Sequence, residues 1–284
     1  MNYRIREDIL LIREFYQLSQ DELANLIGVD KITISRTENS ETYPREELMD
    51  RVYNYCFEKG LKLNIQKEML YKDDLSNNHI LLTHASKSGI DGEISIDKSR
   101  MNNDFGRGFY CGDSYDKSIS FVCRFPSSSV YFIDFNPDNL KEVRFEVSTK
   151  WMLAIAYFRG RLEKYKESKI IKEIVDKINK ADYIVAPIAD NRMFQIIDTF
   201  IDGEITDEQC KHCLAATNLG MQYVFITQKA LDQTCILERC FISSKEKEYY
   251  QKEQVKFQKD GEDKSRLARI QYRGKGKYIE EILK

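Results

Sequence analysis

The chain has 284 residues, enough for about two domains, and its 42% hydrophobic and 32% charged residues exclude an intrinsically disordered protein. Its longest apolar run, at residues 151–158, is too short to span a bilayer, and its first ten residues contain no apolar signal segment. The seven cysteines are an odd set without the spacing of a disulfide framework. We therefore expect a cytoplasmic protein that does not enter a membrane.

The small net charge of −2 hides a difference between the two ends of the chain. Residues 1–63 carry nine Lys and Arg against twelve Asp and Glu, whereas residues 245–284 carry twelve against eight. Between Lys264 and Tyr278 there are six cations and no carboxylate. Such a basic tail is typical of a nucleic-acid contact, and a solvated terminal helix explains it equally well.

Residues 3–60 have the pattern of four or five short helices. Ser19 and Glu22 have the spacing of a capping box, and Gly28 ends the helix that they begin. Pro44 begins a later helix. Two short helices joined by a turn that contains glycine form a helix-turn-helix unit, and residues 19–40 closely resemble the helix-turn-helix of phage-repressor-type regulators.

This resemblance implies a DNA-binding domain over residues 1–63. Gln20 would lie against the backbone phosphates, and the recognition helix would contact bases or phosphates through Lys31, Thr33, Ser35 and Arg36. The acidic total of the segment favours a different interpretation, a helical protein-interaction module, because non-specific DNA affinity comes mostly from neutralising phosphates. The sequence leaves both interpretations open.

From residue 80 onward, short apolar runs separated by turns predict an α+β domain over residues 79–244. We expect strands at 80–83, 108–111, 130–135, 183–187, 222–227 and 235–242, and helices at 116–123, 150–161, 168–179, 192–201 and 207–217. A capping box of Thr206 and Gln209 begins the last of these helices. Residues 64–78 are expected to form a linker or a connecting helix, and residues 245–284 a charged, basic and helical tail.

Four short motifs follow one another in the α+β domain. They are His84-Ala85-Ser86, the run FGRGFYC at 105–111, the run KSISF at 117–121 and the run MQYVF at 221–225. In this order they resemble the motifs of ADP-ribosyltransferases of the poly(ADP-ribose) polymerase and diphtheria-toxin branch. The resemblance implies that an all-α domain precedes a transferase-like domain with two packed mixed or antiparallel sheets and flanking helices.

The resemblance also implies that NAD is the substrate and that no metal takes part. His84, Tyr110 and Gln222 would be the catalytic residues. His84 would bond to ribose hydroxyls, Ala85 and Ser118 would hold the carboxamide, and Tyr110 and Phe121 would stack on the nicotinamide ring. The implied NAD-binding residues are His84, Ala85, Ser86, Gly108, Tyr110, Ser118 and Phe121.

Gln222 departs from the family pattern, which has Glu at this position. A glutamine can accept a hydrogen bond from a ribose hydroxyl, but it carries no charge and cannot act as a general base. We therefore expect mono-ADP-ribosylation of an acceptor that is nucleophilic by itself or is activated by another residue. Asp190 or Glu204 would fill the acidic role if the register differs. The basic tail and the helix-turn-helix favour nucleic acid over protein as the acceptor.

Cys210, His212 and Cys213 form the string Cys-Lys-His-Cys, which invites a zinc interpretation. A four-ligand zinc site needs a second pair of ligands, and the sequence offers none. The two cysteines share one face of a predicted helix, which favours core cysteines. No metal site is expected.

Two other functions remain open at this point. The first is a non-enzymatic DNA-binding regulator whose C-terminal domain binds NAD or a partner protein, an interpretation that Gln222 supports. The second is a toxin or phage-defence effector that carries its own DNA-binding domain or is controlled by an antitoxin partner. A homodimer is compatible with each of them, by analogy with repressor-type domains.

Overall fold

The computed structural model describes residues 2–41, 43–215 and 220–284. It contains two compact units, each assembled from three segments of the chain. Unit 1 comprises Met1–Asp91, Ser114–Asp134 and Ile236–Glu253, and unit 2 comprises Gly92–Asp113, Phe135–Cys235 and Gln254–Lys284. The units follow contacts in space, whereas the predicted domain boundaries follow the sequence, and those boundaries stay a prediction.

The protein contains both helices and strands and is of the α+β class. The strands are β1 Ile80–Ser86, β2 Phe109–Gly112, β3 Ser129–Phe135, β4 Glu142–Arg144, β5 Tyr183–Pro187, β6 Met221–Phe225 and β7 Thr234–Cys240. The helices are α1 Ile5–Tyr16, α2 Gln20–Ile27, α3 Lys31–Glu38, α4 Glu46–Glu58, α5 Leu63–Asp74, α6 Tyr115–Val122, α7 Thr149–Phe158, α8 Lys169–Asn179, α9 Asn191–Ile201, α10 Asp207–Ala215, α11 Gln228–Leu231, α12 Ser244–Gln271 and α13 Ile279–Leu283.

Most of the predicted elements are confirmed. Helices α1–α4 correspond to the short helices expected over residues 3–60, and α5 covers most of residues 64–78, for which a helix was one of the two expectations. All six expected strands and the helices α6–α10 are present, with ends shifted by a few residues. The last two residues of the helix expected at 207–217 lie outside the described residues. Two elements were missed because they are very short: β4 has three residues and α11 has four.

The two predicted capping boxes are also confirmed. The Ser19 side chain accepts the backbone N–H of Glu22, and the Glu22 carboxylate accepts the backbone N–H of Ser19. Thr206 and Gln209 make the equivalent pair at the start of α10, at 3.2 and 3.3 Å. Each pair satisfies two backbone donors that a helix start would otherwise leave without partners.

Described residues of unit 1 form at least two apolar cores. The first joins α1–α4 and includes Phe241, which follows β7. The second lies among α6 and the strands β1, β3 and β7, which neighbour one another in that order. The residues of the first core that are fully buried include Ile9, Ile12, Leu23, Ile34 and Val52.

Unit 2 is built on four strands in the order β4-β5-β6-β2. The β4–β5 pair is parallel, and the β5–β6 and β6–β2 pairs are antiparallel. Helix α7 is apolar on every side and its residues 151–156 are fully buried, as expected for a helix inside a core. One apolar core joins α7–α10 to residues of β5 and β6, among them Ile184, Ala186 and Val224.

The expectation of two packed sheets is not met inside either unit. The described strands of each unit lie side by side in one layer, and in unit 2 an apolar face is covered by helices instead of a second sheet. The physical reason is the composition of α7 and α9, which supply enough buried apolar surface to cover β5 and β6. Among the described residues, no helix is both long and apolar enough to cross a membrane.

Candidate functional site

The glycine turn before β2 has two separate geometric requirements. Gly106 has a φ of +73°, a conformation that residues with a Cβ rarely adopt. Gly108 has no such φ, but a Cβ there would lie 2.7 Å from Cγ1 of Val224 and 2.9 Å from the carbonyl oxygen of Phe225. Gly108 therefore lets β2 approach β6, and the contact that requires its glycine is with protein.

Tyr110 and Gln222 lie on the same face of the unit 2 sheet. In the β2–β6 register, Tyr110 is opposite Val224 and Gly112 is opposite Gln222. Because side chains alternate along a strand, residues 110 and 112 share a face with residues 222 and 224. Tyr110 is thus a diagonal neighbour of Gln222, at a typical separation of about 7–8 Å between Cα atoms.

The Tyr110 hydroxyl is tied to the glycine turn. It donates a hydrogen bond to the carbonyl oxygen of Gly106 at 2.8 Å and accepts one from the backbone N–H of Phe105 at 3.1 Å. Burial raises the pKa of this phenol. The hydroxyl therefore stays neutral and holds the turn, and the ring is the part of Tyr110 that is suited to contacting a flat ligand.

Gln222 is buried and its side-chain amide is held by two acceptors. Its Nε2 donates to a carboxylate oxygen of Asp104 at 2.9 Å and to the carbonyl oxygen of Pro187 at 3.1 Å. In the described residues, no group donates a hydrogen bond to its Oε1. That oxygen is the part of Gln222 that remains able to accept one from a ligand.

Asp104 is a buried carboxylate in the turn that precedes β2. It accepts hydrogen bonds from Nε of Arg159 at 2.9 Å, from Nη2 of Arg159 and from the backbone N–H of Ala189 at 3.3 Å. Arg159 also donates to the Ala189 carbonyl oxygen at 2.9 Å, and its guanidinium lies 4.1 Å from the Phe194 ring centroid. We call Asp104, Arg159, Ala189 and Gln222 the Asp104 cluster.

The remaining predicted NAD-binding residues belong to unit 1. His84 is half-buried on β1, with its ring centroid 6.4 Å from that of Tyr131. Ala85 is also half-buried and packs against the β-strand core of this unit. The Ser86 hydroxyl donates to the carbonyl oxygen of Gly89 at 2.8 Å, so it stabilises the turn that follows β1.

Ser118 on α6 is buried, with its hydroxyl oxygen 2.7 Å from that of Thr83, the residue before His84. Thr83 also lies 3.0 Å from the carbonyl oxygen of Ser114, and Ser118 lies 3.4 Å from the carbonyl oxygen of Thr83, so both hydroxyls have protein partners. Phe121, on the same helix, is 43% exposed.

The two acidic alternatives to Gln222 have other surroundings. Asp190 caps α9 by accepting the backbone N–H of Met193 at 2.8 Å, and Glu204 is exposed after the same helix. Cys210 and Cys213 are fully buried in the core of unit 2, as expected for core cysteines. His212 is stacked on Tyr272 at 3.5 Å between ring centroids.

The residues proposed for DNA contact differ in their surroundings. Lys31 and Arg36 are exposed on α3, whereas Thr33 and Ser35 are half-buried. Gln20 donates a hydrogen bond to the Glu38 carboxylate at 2.5 Å. Arg13 binds both oxygens of Glu38, at 2.7 and 2.9 Å. The amide of Gln20 is therefore engaged inside the helical bundle.

Residues 80–235, more than half of the chain, match the model of a family described as "Protein of unknown function (DUF3990)". The chain belongs to the DUF3990 family. No curated protein and no solved structure matches it. The matched segment contains the glycine turn, all of the Asp104 cluster and the motif residues His84, Tyr110, Ser118 and Gln222.

Sequence reasoning missed two functional candidates in the DUF3990 segment, Asp104 and Arg159. Asp104 begins the run that contains the glycine turn, and its acidic side chain beside an apolar motif was a usable signal. Arg159 follows the most apolar helix of the chain, and its partner Asp104 lies 55 positions earlier, so no local pattern pairs the two residues.

Proposed function

We propose that this protein is an NAD-dependent mono-ADP-ribosyltransferase that modifies a macromolecule, with nucleic acid as the favoured acceptor. One observation carries the proposal: Tyr110 and Gln222 lie on one face of β2 and β6, and Gln222 keeps a carbonyl oxygen free to accept a hydrogen bond. An aromatic ring beside a fixed acceptor suits a nicotinamide ring beside a ribose hydroxyl.

In the proposed reaction the bond between nicotinamide and its ribose breaks, and a nucleophile on the acceptor forms the new bond to that ribose carbon. Nicotinamide leaves with the bonding electrons, which neutralise its positive ring. The sequence resemblance assigns the ring to Tyr110 and Phe121 and the ribose hydroxyls to His84 and Gln222. Stronger hydrogen bonds to those hydroxyls as positive charge develops would lower the barrier.

Gln222 limits the kind of acceptor. An amide cannot remove a proton from a poorly nucleophilic hydroxyl. The acceptor is therefore expected to be a base nitrogen, a carboxylate or a thiolate, which needs little activation. A protein or nucleic acid with such a group would be modified once at each site, since chain extension requires activation of a ribose hydroxyl.

The proposal is tested by incubating the protein with radiolabelled NAD and separate pools of DNA, RNA and protein. We expect label transfer to one pool and release of nicotinamide, both lowered on the order of 100-fold in His84→Ala and Tyr110→Ala. His212→Ala is the matched control, because that histidine stacks on Tyr272 and has no proposed part in the reaction. Absence of transfer and of nicotinamide release in the unaltered protein would refute the activity.

A second candidate function is a non-enzymatic regulator that binds DNA through α3. It is favoured by the exposure of Lys31 and Arg36 on this helix and by the lack of a carboxylate at position 222. A regulator would bind NAD without turnover. It would also bind one DNA sequence with an affinity that falls in the Lys31→Ala and Arg36→Ala variants but not in Lys59→Ala, which alters a lysine after α4.

A further inference from the structure

The orientation of the Gln222 side chain is fixed by its neighbours. The nitrogen and oxygen of an amide can exchange places by a flip, and only their partners determine which is which. Here both partners, the Asp104 carboxylate and the Pro187 carbonyl oxygen, are acceptors only. The nitrogen must therefore face them, and the oxygen must point away from both.

Asp104 cannot turn away from this contact, because three other donors hold it. Arg159 supplies two of them and the backbone N–H of Ala189 supplies the third. The residue is 6% exposed. Its carboxylate is therefore held beside the Gln222 amide.

The strands beside Gln222 carry only small side chains at its level. Gly112 of β2 and Ala186 of β5 are its partners in the sheet register. Partners across a sheet share a face, so no bulky neighbour covers the Gln222 side chain from either adjacent strand.

We propose that Asp104 is a positioning residue: it orients the Gln222 amide so that Oε1 faces the ribose hydroxyl of NAD. Because a carboxylate only accepts hydrogen bonds, the side chain at position 222 must supply a hydrogen-bond donor to Asp104. This inference rests on the proposed transferase function. It explains why an amide stands where related transferases have a carboxylate: a glutamate would direct its negative charge at Asp104 over the distance of 2.9 Å that the amide now spans. Asp104 and Gln222 are a matched pair.

The pair predicts an unusual result for Gln222→Glu, which restores the residue that related transferases carry. Two carboxylates would then share the single guanidinium of Arg159, while the Tyr110 hydroxyl remains bonded to Phe105 and Gly106. Like charges this close raise the pKa of one carboxyl group. We expect nicotinamide release at neutral pH to fall on the order of 10- to 100-fold, with a smaller change in KM for NAD.

The dependence of the Gln222→Glu rate on pH distinguishes an orienting role of Asp104 from a merely structural one. A protonated carboxyl group at position 222 can donate its one proton to Asp104 and keeps a carbonyl oxygen, so it restores this hydrogen bond of the amide but not the one to Pro187. The rate of Gln222→Glu should therefore rise toward that of the unaltered protein as the pH is lowered. The unaltered protein has an amide that does not titrate, and its rate should show no such rise.

The experiment compares nicotinamide release by Gln222→Glu, by Asp104→Asn and by the double variant that exchanges the carboxylate and the amide between the two positions. Each single variant should be slow at neutral pH. The exchange should recover part of the loss, because a donor again faces a carboxylate, although the amide nitrogen at position 104 then also faces the backbone N–H of Ala189. Asp113→Asn is the matched control: this aspartate accepts the backbone N–H of Met221 at 3.0 Å, next to Gln222, without touching the amide.

Each outcome has a defined meaning. If the unaltered protein is active but Gln222→Glu is equally fast at neutral pH, or if the exchange recovers nothing although its melting temperature equals that of Asp104→Asn, the inference is wrong and the transferase function stands. If the unaltered protein releases no nicotinamide and transfers no label, both the function and the inference are overturned.

Discussion

Buried carboxyl groups in this protein are stabilised in two different ways. Asp104 is surrounded by the guanidinium of Arg159 and by backbone and amide donors. Glu246, at the start of α12, is fully buried but is held by neutral groups, the hydroxyl of Tyr115 at 3.0 Å and the amide of Asn64 at 3.4 Å. Burial raises the pKa of Glu246 from its ordinary value of 4.5 to about 7. Asp104 is thus paired with a cation, whereas the groups that bond to Glu246 are neutral.

Replacing Glu246 should therefore change how stability depends on pH. The folded protein holds a proton here more tightly than the unfolded chain, so this group stabilises the fold below pH 4.5 and loses that contribution as the pH rises to about 7. The loss is on the order of 3 kcal/mol. In Glu246→Gln this decline should be absent, as measured by urea unfolding at pH 5, 6, 7 and 8.

The control for this prediction is Glu248→Gln, which alters an exposed glutamate of the same helix that pairs with Lys252. Its stability should fall with pH in parallel with that of the unaltered protein over the same range. Parallel curves for Glu246→Gln as well would show that Glu246 is already ionised in the folded state at acidic pH.

At the scale of the element, the pairing of β2 with β6 requires a residue without a side chain at position 108. The Cβ of Gly108→Ala would overlap Val224 and the backbone of Phe225. Overpacking of this kind costs about 1–3 kcal/mol. We expect a lower melting temperature and faster amide hydrogen exchange in β2 and β6, which also carry Tyr110 and Gln222.

Gly160→Ala serves as the comparison for Gly108→Ala. Unlike Gly108, Gly160 has no neighbour to displace, because nothing lies within 4 Å of its added Cβ, although its φ of +78° is unfavourable for alanine. Gly160→Ala should therefore lower stability only through backbone strain in the turn that follows α7, with no effect on the β2–β6 pair. If hydrogen exchange in β6 is unchanged by Gly108→Ala, close approach of the strands is not what requires glycine.

The elements of this fold could be predicted because their signals are local. Alternating and periodic apolar residues located β5, β6, α8 and α9, and the capping boxes located the starts of α2 and α10. The three residues of β4 are too few to show a period. The packing of helices on an apolar face of unit 2, where a second sheet was expected, depends on contacts between distant residues.

Only part of the candidate site could be predicted, because only part of it is encoded in local sequence patterns. Motif order identified Tyr110 and Gln222, and the register of β2 with β6 brings them to one face. The Asp104–Gln222 hydrogen bond joins residues 118 positions apart, and no local pattern encodes it. The geometry of Gly108 was likewise hidden, since a glycine required by a ligand and one required by a neighbouring strand look identical in a sequence.

At the scale of the molecule, unit 1 ties the N-terminal helices to strand β7. Nζ of Lys67 on α5 lies 2.7 Å from the carboxylate of Glu238 on β7 and also contacts Asp8 on α1. All three charges are buried, and removing one partner of such a group leaves an uncompensated charge. Residues 1–63 therefore share their stability with a segment that lies more than 170 positions later in the chain.

Phe241→Ala tests whether the N-terminal helices fold together with the end of β7. The Phe241 ring is 5% exposed and lies 5.3 Å from Tyr3 and 5.2 Å from Tyr53, between ring centroids. We expect a loss of about 3–5 kcal/mol in stability and faster hydrogen exchange in α1 and α4. Phe15→Ala, at a phenylalanine that is 64% exposed, should change stability by about 0.5 kcal/mol or less. Unchanged exchange in α1 and α4 would mean that these helices fold independently.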